Sequence, residues 1–175
     1  MILLIILELG LVIGISAGIN KLSSTAASGL FFLYSALNGV TLSLVFLVYT
    51  QESITTTFLI TAGTFGAMSF YGFVTKKDLT SIGNLAFMAL IGIIIASIVN
   101  MFFASSMLYT IISYGGVLIF VALTAYDTQK LKKMGQKLEA GSETERKTAI
   151  LGALRLYLDF INLFLFLLRI FGRRR

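Results

Sequence analysis

Near the end of the chain stands Leu154-Arg155-Leu156-Tyr157-Leu158-Asp159-Phe160-Ile161-Asn162-Leu163-Phe164-Leu165-Phe166. It is apolar enough for a bilayer, yet it holds an arginine, an aspartate and an asparagine. Ionisable groups inside hydrocarbon are costly, face a protein interior or a water-filled cavity, and by default mark a functional site. Asp159 therefore needs partners. Asp127, in Thr124-Ala125-Tyr126-Asp127-Thr128-Gln129, closes the preceding apolar segment, and Glu8 lies inside the first one.

Of the 175 residues, 57% are hydrophobic and 13% charged. A soluble domain has about 45–50% and about 25%. The chain thus reads as an all-α integral membrane protein, with the lipid bilayer as its surroundings and one bundle using residues 1–175. The net charge of +6 falls in short segments between apolar runs and at the C-terminus. That placement fits orientation in a membrane and argues against nucleic acid as a partner. With no cysteine and no histidine, disulfides, zinc or haem ligation and thiol or Ser–His catalysis are excluded. Proton sensing near neutral pH must fall to carboxylates. Proline is also absent, so any break in a helix falls to glycine.

Crossing the apolar core takes about 20 residues. Six segments qualify or nearly do: 2–19, 25–50, 54–74, 82–103, 107–127 and 148–171. The first carries Gly10, Gly14 and Gly18 along one face, the spacing of a close-packing seam. Between the fifth and sixth lies the long hydrophilic stretch 130–147, with six basic and three acidic residues. Lys21, the Lys76-Lys77 pair and this stretch follow the first, third and fifth segments, whereas the connections after the second and fourth hold no basic residue. The positive-inside rule makes those three connections cytoplasmic. The sixth segment is then expected to cross and to leave Arg173-Arg174-Arg175 outside. No basic region or cleavage site marks a signal peptide after Met1.

Counted from residue 148 at about 1.5 Å per residue, Asp159 lies about 16 Å deep. Arg155 is at i−4 on the same face, so an intrahelical Arg–Asp pair is the plain alternative to a functional site. For Asp127 the plain alternative is a helix-end residue beside a basic loop, and for Glu8 a carboxylate reaching for the outer interface. If the three cluster, another chemistry opens. Two carboxylates held close cannot both ionise cheaply and share a proton. Such a pair senses pH without histidine and, once deprotonated, offers oxygen ligands to a hard cation such as Ca2+.

These residues resemble the Bax inhibitor-1 family, also called the transmembrane Bax-inhibitor-motif family. The most specific match is Leu156-Tyr157-Leu158-Asp159-Phe160-Ile161-Asn162-Leu163-Phe164 followed by Leu167-Leu168-Arg169. Supporting matches are Ala125-Tyr126-Asp127-Thr128-Gln129, Tyr34 through Thr41, and Lys76-Lys77-Asp78-Leu79. The resemblance implies a seven-helix fold with its last helix central. It also implies a Ca2+ leak gated by pH through a pair of aspartates, which carry over onto Asp127 and Asp159. Glu8 carries over from the glutamate of the family's second helix. The first segment here resembles that second helix, so a six-helix bundle lacking the family's first helix is expected. Where some relatives place an arginine partner for the aspartates, Lys21 is the nearest cation and Ile19 takes the aligned place.

The leading expectation is accordingly a pH-regulated cation leak in a bacterial inner membrane. Asp127 and Asp159 serve as gate and Ca2+ ligands, Glu8 joins them along the ion pathway, and Arg155 and Lys21 are the charge partners. Ca2+ and protons are the small partners, and no other cofactor is expected. The alternative is an interaction protein that modulates a membrane protease or cell-death and stress regulators through the 130–147 stretch, without conducting ions. An intramembrane aspartyl protease also needs two aspartates on consecutive segments. The Gly-x-Gly-Asp and Pro-Ala-Leu contexts of those enzymes are missing, however, so no enzymatic activity is expected.

Overall fold

The computed structural model describes residues 2–175. Its helices are α1 (Ile2–Gly18), α2 (Ser24–Leu42), the single-turn α3 (Val45–Val48), α4 (Gln51–Val74), α5 (Thr80–Phe103), α6 (Ser106–Gly135) and α7 (Glu143–Phe171). Among the described residues there is no strand, and Tyr49 and Arg174 form an isolated backbone bridge. Among the described residues five helical stretches are long and apolar enough to cross a membrane. The apolar α1 has 17 residues, which rise about 25 Å against a hydrocarbon core of about 30 Å.

Hydroxyl side chains start four of the helices. Ser23, Thr50, Ser105 and Ser142 each accept from the N–H three residues on, at 3.1–3.4 Å, and so satisfy one of the unpaired donors of a first turn. Inside the helices, Thr61, Ser113 and Thr124 turn their hydroxyls back to the carbonyls four residues earlier. This keeps their polar atoms paired away from water.

Three features differ from the sequence expectation. The second segment breaks after Leu42: Ser43 N–H is shared between the Gly39 and Val40 carbonyls, and its hydroxyl donates to Val40 O at 2.6 Å. The tightened turn ends α2, and Thr50 caps α4 instead of continuing the earlier helix. Second, most of the 130–147 stretch is helical, leaving 136–142 as the connection. Leu131 and Met134 extend the helical spacing of α6, Lys132 and Lys133 suit its last turn, and Glu143 and Glu145 suit the first turn of α7. Asp127 is consequently inside α6, with two further turns beyond it.

Third, the Gly10–Gly14–Gly18 stripe meets no other helix among the described residues. None of these lies within 4 Å of a Cβ built at Gly10 or Gly14, and Gly18 meets only Leu22. Instead α1 packs through another face, where Glu8, Ile15 and Ile19 are buried. Close approach occurs elsewhere. A Cβ at Gly72 would stand 2.2 Å from the Ala125 carbonyl oxygen, and one at Gly116 would stand 2.5 Å from the Phe166 ring. These glycines set the α4–α6 and α6–α7 spacings.

The bundle is built on α6 and α7. Helix α4 packs against both, α1 and α2 lie on α7, and α5 rests on α6. The last helix therefore has the expected central place. Ala86, Ile119, Phe120, Leu123, Leu163 and Leu167 form the main apolar core, and Ile15, Tyr34 and Leu154 form a second cluster where α1, α2 and α7 meet.

The three basic connections meet at one end of the bundle. Ser24 N–H donates to Glu143 Oε1 at 2.6 Å, and the Gln129 amide donates to Lys77 O at 2.7 Å while accepting from Leu79 N–H at 3.0 Å. Lys133 pairs with Asp78 at 3.0 Å. Hydrogen bonds from Thr80 first, and then from Lys133, hold the exposed Asp78 carboxyl down at about 2. By the positive-inside rule this end is cytoplasmic. At the other end the chain terminus lies against the α3–α4 connection: Thr50 N–H donates to Arg173 O, and Arg175 N–H to Val48 O, both at 3.0 Å. Arg173 N–H also reaches Ser53 Oγ at 2.9 Å. The 29 residues of α7, about 44 Å at helical rise, thus run from one end to the other.

Candidate functional site

Helices α6 and α7 bring the two aspartates together. Asp127 on α6 and Asp159 on α7 are neighbours lining the same cavity. Carboxylates only accept, so a direct hydrogen bond between the two would need one of them to carry a proton. Asp159 is 5% exposed, and its Oδ2 has no hydrogen-bond partner among the described residues. Arg155 reaches across to α6, with Nη1 3.7 Å from Asp127 Oδ1. The i−4 spacing to Asp159 had offered an intrahelical pair. Instead Asp159 is buried, while the Arg155 side chain stays half-exposed beside Asp127.

Both aspartates line a cavity of about 810 Å3 between α5, α6 and α7. It exists because α5 rests on α6 and leaves α7 uncovered beside it. Lys130 and Arg155 stand with Asp127 toward the cytoplasmic end, and Arg169 lies toward the other. The wall between is mainly apolar, with Asn84, Ser97, Tyr126 and Asn162 as its neutral polar members. Counted from Glu143, where α7 begins, Asp159 lies about 24 Å along the helix. Lys130 and Asn84 were not singled out from the sequence. An asparagine in an apolar helix is the one signal that pointed toward Asn84.

Glu8 is elsewhere. It is 8% exposed and accepts from Asn38 Nδ2 at 3.2 Å and from the Thr41 hydroxyl. Asn38 Oδ1 in turn accepts from Tyr157 OH at 3.0 Å, so a polar chain joins α1, α2 and α7. Tyr157 and Asp159 are two residues apart on α7, about 200° around the helix, and face different neighbours. Glu8 is not among the residues lining the aspartate cavity. Lys21 is exposed in the turn after α1 and makes no ion pair among the described residues.

Among those residues no group of three or more His, Cys, Asp or Glu side chains converges on a metal position. A resident Ca2+ takes roughly 6–8 oxygens, more than the aspartate pair provides by itself. The chemistry available at the pair is proton sharing, a change of local charge with pH, and weak attraction of a cation in a cavity that also holds Arg155.

Over residues 1–175 the sequence matches the family model described as inhibitor of apoptosis-promoting Bax1. The chain is similar to the inner membrane protein YbhL of Escherichia coli strain K12, with 60% identity over 173 residues, 98% of this chain and 74% of that protein. A Borreliella burgdorferi protein is 56% identical over 172 residues, with the same shares of each chain. A Deinococcus radiodurans protein is 45% identical over 171 residues, again 98% of this chain and 74% of the relative.

Proposed function

The chain belongs to the Bax inhibitor-1 family of membrane proteins, and on that premise we propose that it is a pH-regulated cation leak of the bacterial inner membrane, with Ca2+ as the permeant ion. One observation supports this reading above others: a carboxyl pair, the buried Asp159 with one oxygen lacking a partner and the partly buried Asp127, lines a cavity bounded by three transmembrane helices. At low pH one shared proton bridges Asp127 and Asp159 and holds α7 against α6. As pH rises that proton leaves, and the two negative charges repel at short range in a poorly screened setting. The α6–α7 contact then loosens, and the cavity gains charge that favours a divalent cation. Arg155, paired with Asp127, limits how strongly the cation is held and so favours passage over retention.

In the interaction reading, which the family's description as an inhibitor of an apoptosis-promoting protein favours, the cytoplasmic end restrains another membrane protein. The connection 136–142 is then the contact. Ca2+ entry into dye-loaded liposomes, scanned across pH with Asp127→Asn and Asp159→Asn alongside, separates the two. A pH-dependent flux that both substitutions alter supports the leak. A flux that keeps its wild-type pH profile in Asp159→Asn rejects the gate. Capture of a partner that depends on 136–142, with no flux above that of empty liposomes, replaces the leak with the interaction role.

A further inference from the structure

At the cytoplasmic end, α6 projects Lys130, Lys133 and Lys137 at spacings of three and four residues, which places them on one helix face. With Thr80, Tyr126 and Gln129 they line a second cavity, of about 190 Å3, beside the first turn of α5. Lys133 is engaged by Asp78 at 3.0 Å. The Lys130 ammonium lies 5.4 Å from the centre of the Tyr126 ring, and neither Lys130 nor Lys137 makes an ion pair among the described residues. Three lysines against Asp78 leave a local formal charge of +2 around a small concave site. Leu79 makes no side-chain cap at the start of α5, but Asp78 Oδ1 accepts from the Thr80 N–H at 3.2 Å, so the positive charge of the site comes from the lysines.

The surroundings decide which anion suits it. On the face of α5 that carries Thr80, Phe87 and Ile91 are exposed, at 58% and 46%, and the helix continues across the membrane. A free anion leaves that apolar surface without a partner. An amphiphile fills both parts. Basic pockets between transmembrane helices on the cytoplasmic side suit anionic lipid headgroups. We propose that this pocket is a binding site for an anionic phospholipid, with its phosphate against Lys130, Lys133 and Lys137 and its acyl chains along the exposed face of α5. The assignment does not rest on the leak, since it uses neither Asp127 nor Asp159, although Lys130 also lines the aspartate cavity.

The test compares thermal stability of the purified full chain in detergent with added phosphatidylglycerol, phosphatidylcholine or inorganic phosphate. Phosphatidylglycerol alone is expected to raise the apparent Tm. Lys130→Gln with Lys137→Gln, which leaves the Lys133–Asp78 pair intact, is expected to lose most of that rise, while Lys76→Gln with Lys77→Gln retains it. Phosphatidylglycerol co-purifying with the wild type, measured by mass spectrometry, should fall several-fold in the first double variant and not in the second. The site is overturned if both double variants respond alike, or if inorganic phosphate gives the same rise.

Discussion

Glu8 and Asp159 are buried to nearly the same degree, 8% and 5% exposed, yet they sit in opposite kinds of surroundings. Fixed donors from α2 meet Glu8, and a tyrosine from α7 extends the chain of bonds. Asp159 meets a second carboxyl and keeps one oxygen without a partner. A buried polar group matched by donors becomes a joint between helices. One set against its own kind becomes responsive, because a single proton decides between attraction and repulsion. Burial alone does not separate a structural carboxylate from a functional one; the atoms facing it do.

The largest effect expected from this contrast is functional. Asp159→Asn should abolish the pH dependence of Ca2+ flux in liposomes, whereas Glu8→Gln, which leaves the aspartate pair alone, should preserve it. Equal loss in both variants would erase the distinction. Leu163, fully buried on α7, holds the helix that carries Asp159, and Leu163→Ala should cost about 2–5 kcal/mol in reversible unfolding. Gly72→Ala forces a methyl group into the Ala125 carbonyl and should destabilise by about 1–3 kcal/mol. Full wild-type stability there would show that α4 and α6 have room to separate.

Smaller effects sharpen the Glu8 side. Tyr157→Phe removes one bond of the polar chain and should cost about 0.6 kcal/mol, the mean for interhelical hydrogen bonds in membranes, with the flux profile unchanged. A shifted profile would mean that the joint and the gate are coupled. The smallest effect concerns Asp78, a carboxylate in neither category. Its folded value is held at about 2, below the ordinary value of about 3.9. Its contribution is therefore present above the unfolded value and fades as pH falls through the folded one. Asp78→Asn should flatten the stability profile only in that acidic window.

Much of the architecture was legible because bilayer thickness leaves few options. A run of apolar residues such as 82–103 must cross, and Lys21, Lys76 and Lys77 declare their side by charge. Asp159 stood out for the same reason, as a charge that hydrocarbon rejects. What stayed hidden depends on which helix faces meet. Gly10, Gly14 and Gly18 have the spacing of a seam, but spacing does not say whether a neighbour is there. Likewise Asn38 and Thr41 become the partners of Glu8 only once α1 and α2 are side by side. The ends of α6 and α7 were missed because charge in the 130–147 stretch suggests a loop, although Leu131, Met134 and the cap at Ser142 favour helix.

The backbone bonds between Arg173, Arg175 and the α3–α4 connection have a mechanical consequence. They fix one end of α7 like a hinge pin, so a tilt of that helix sweeps an arc that widens with distance from the pin. Asp159 is about 20 Å from Gly172 and the Glu143 end about 44 Å. A displacement at the aspartates is therefore more than doubled at the cytoplasmic tip, where Glu143 holds Ser24. In the proposed gating motion the helix would act as a lever whose long arm points toward the cytoplasm.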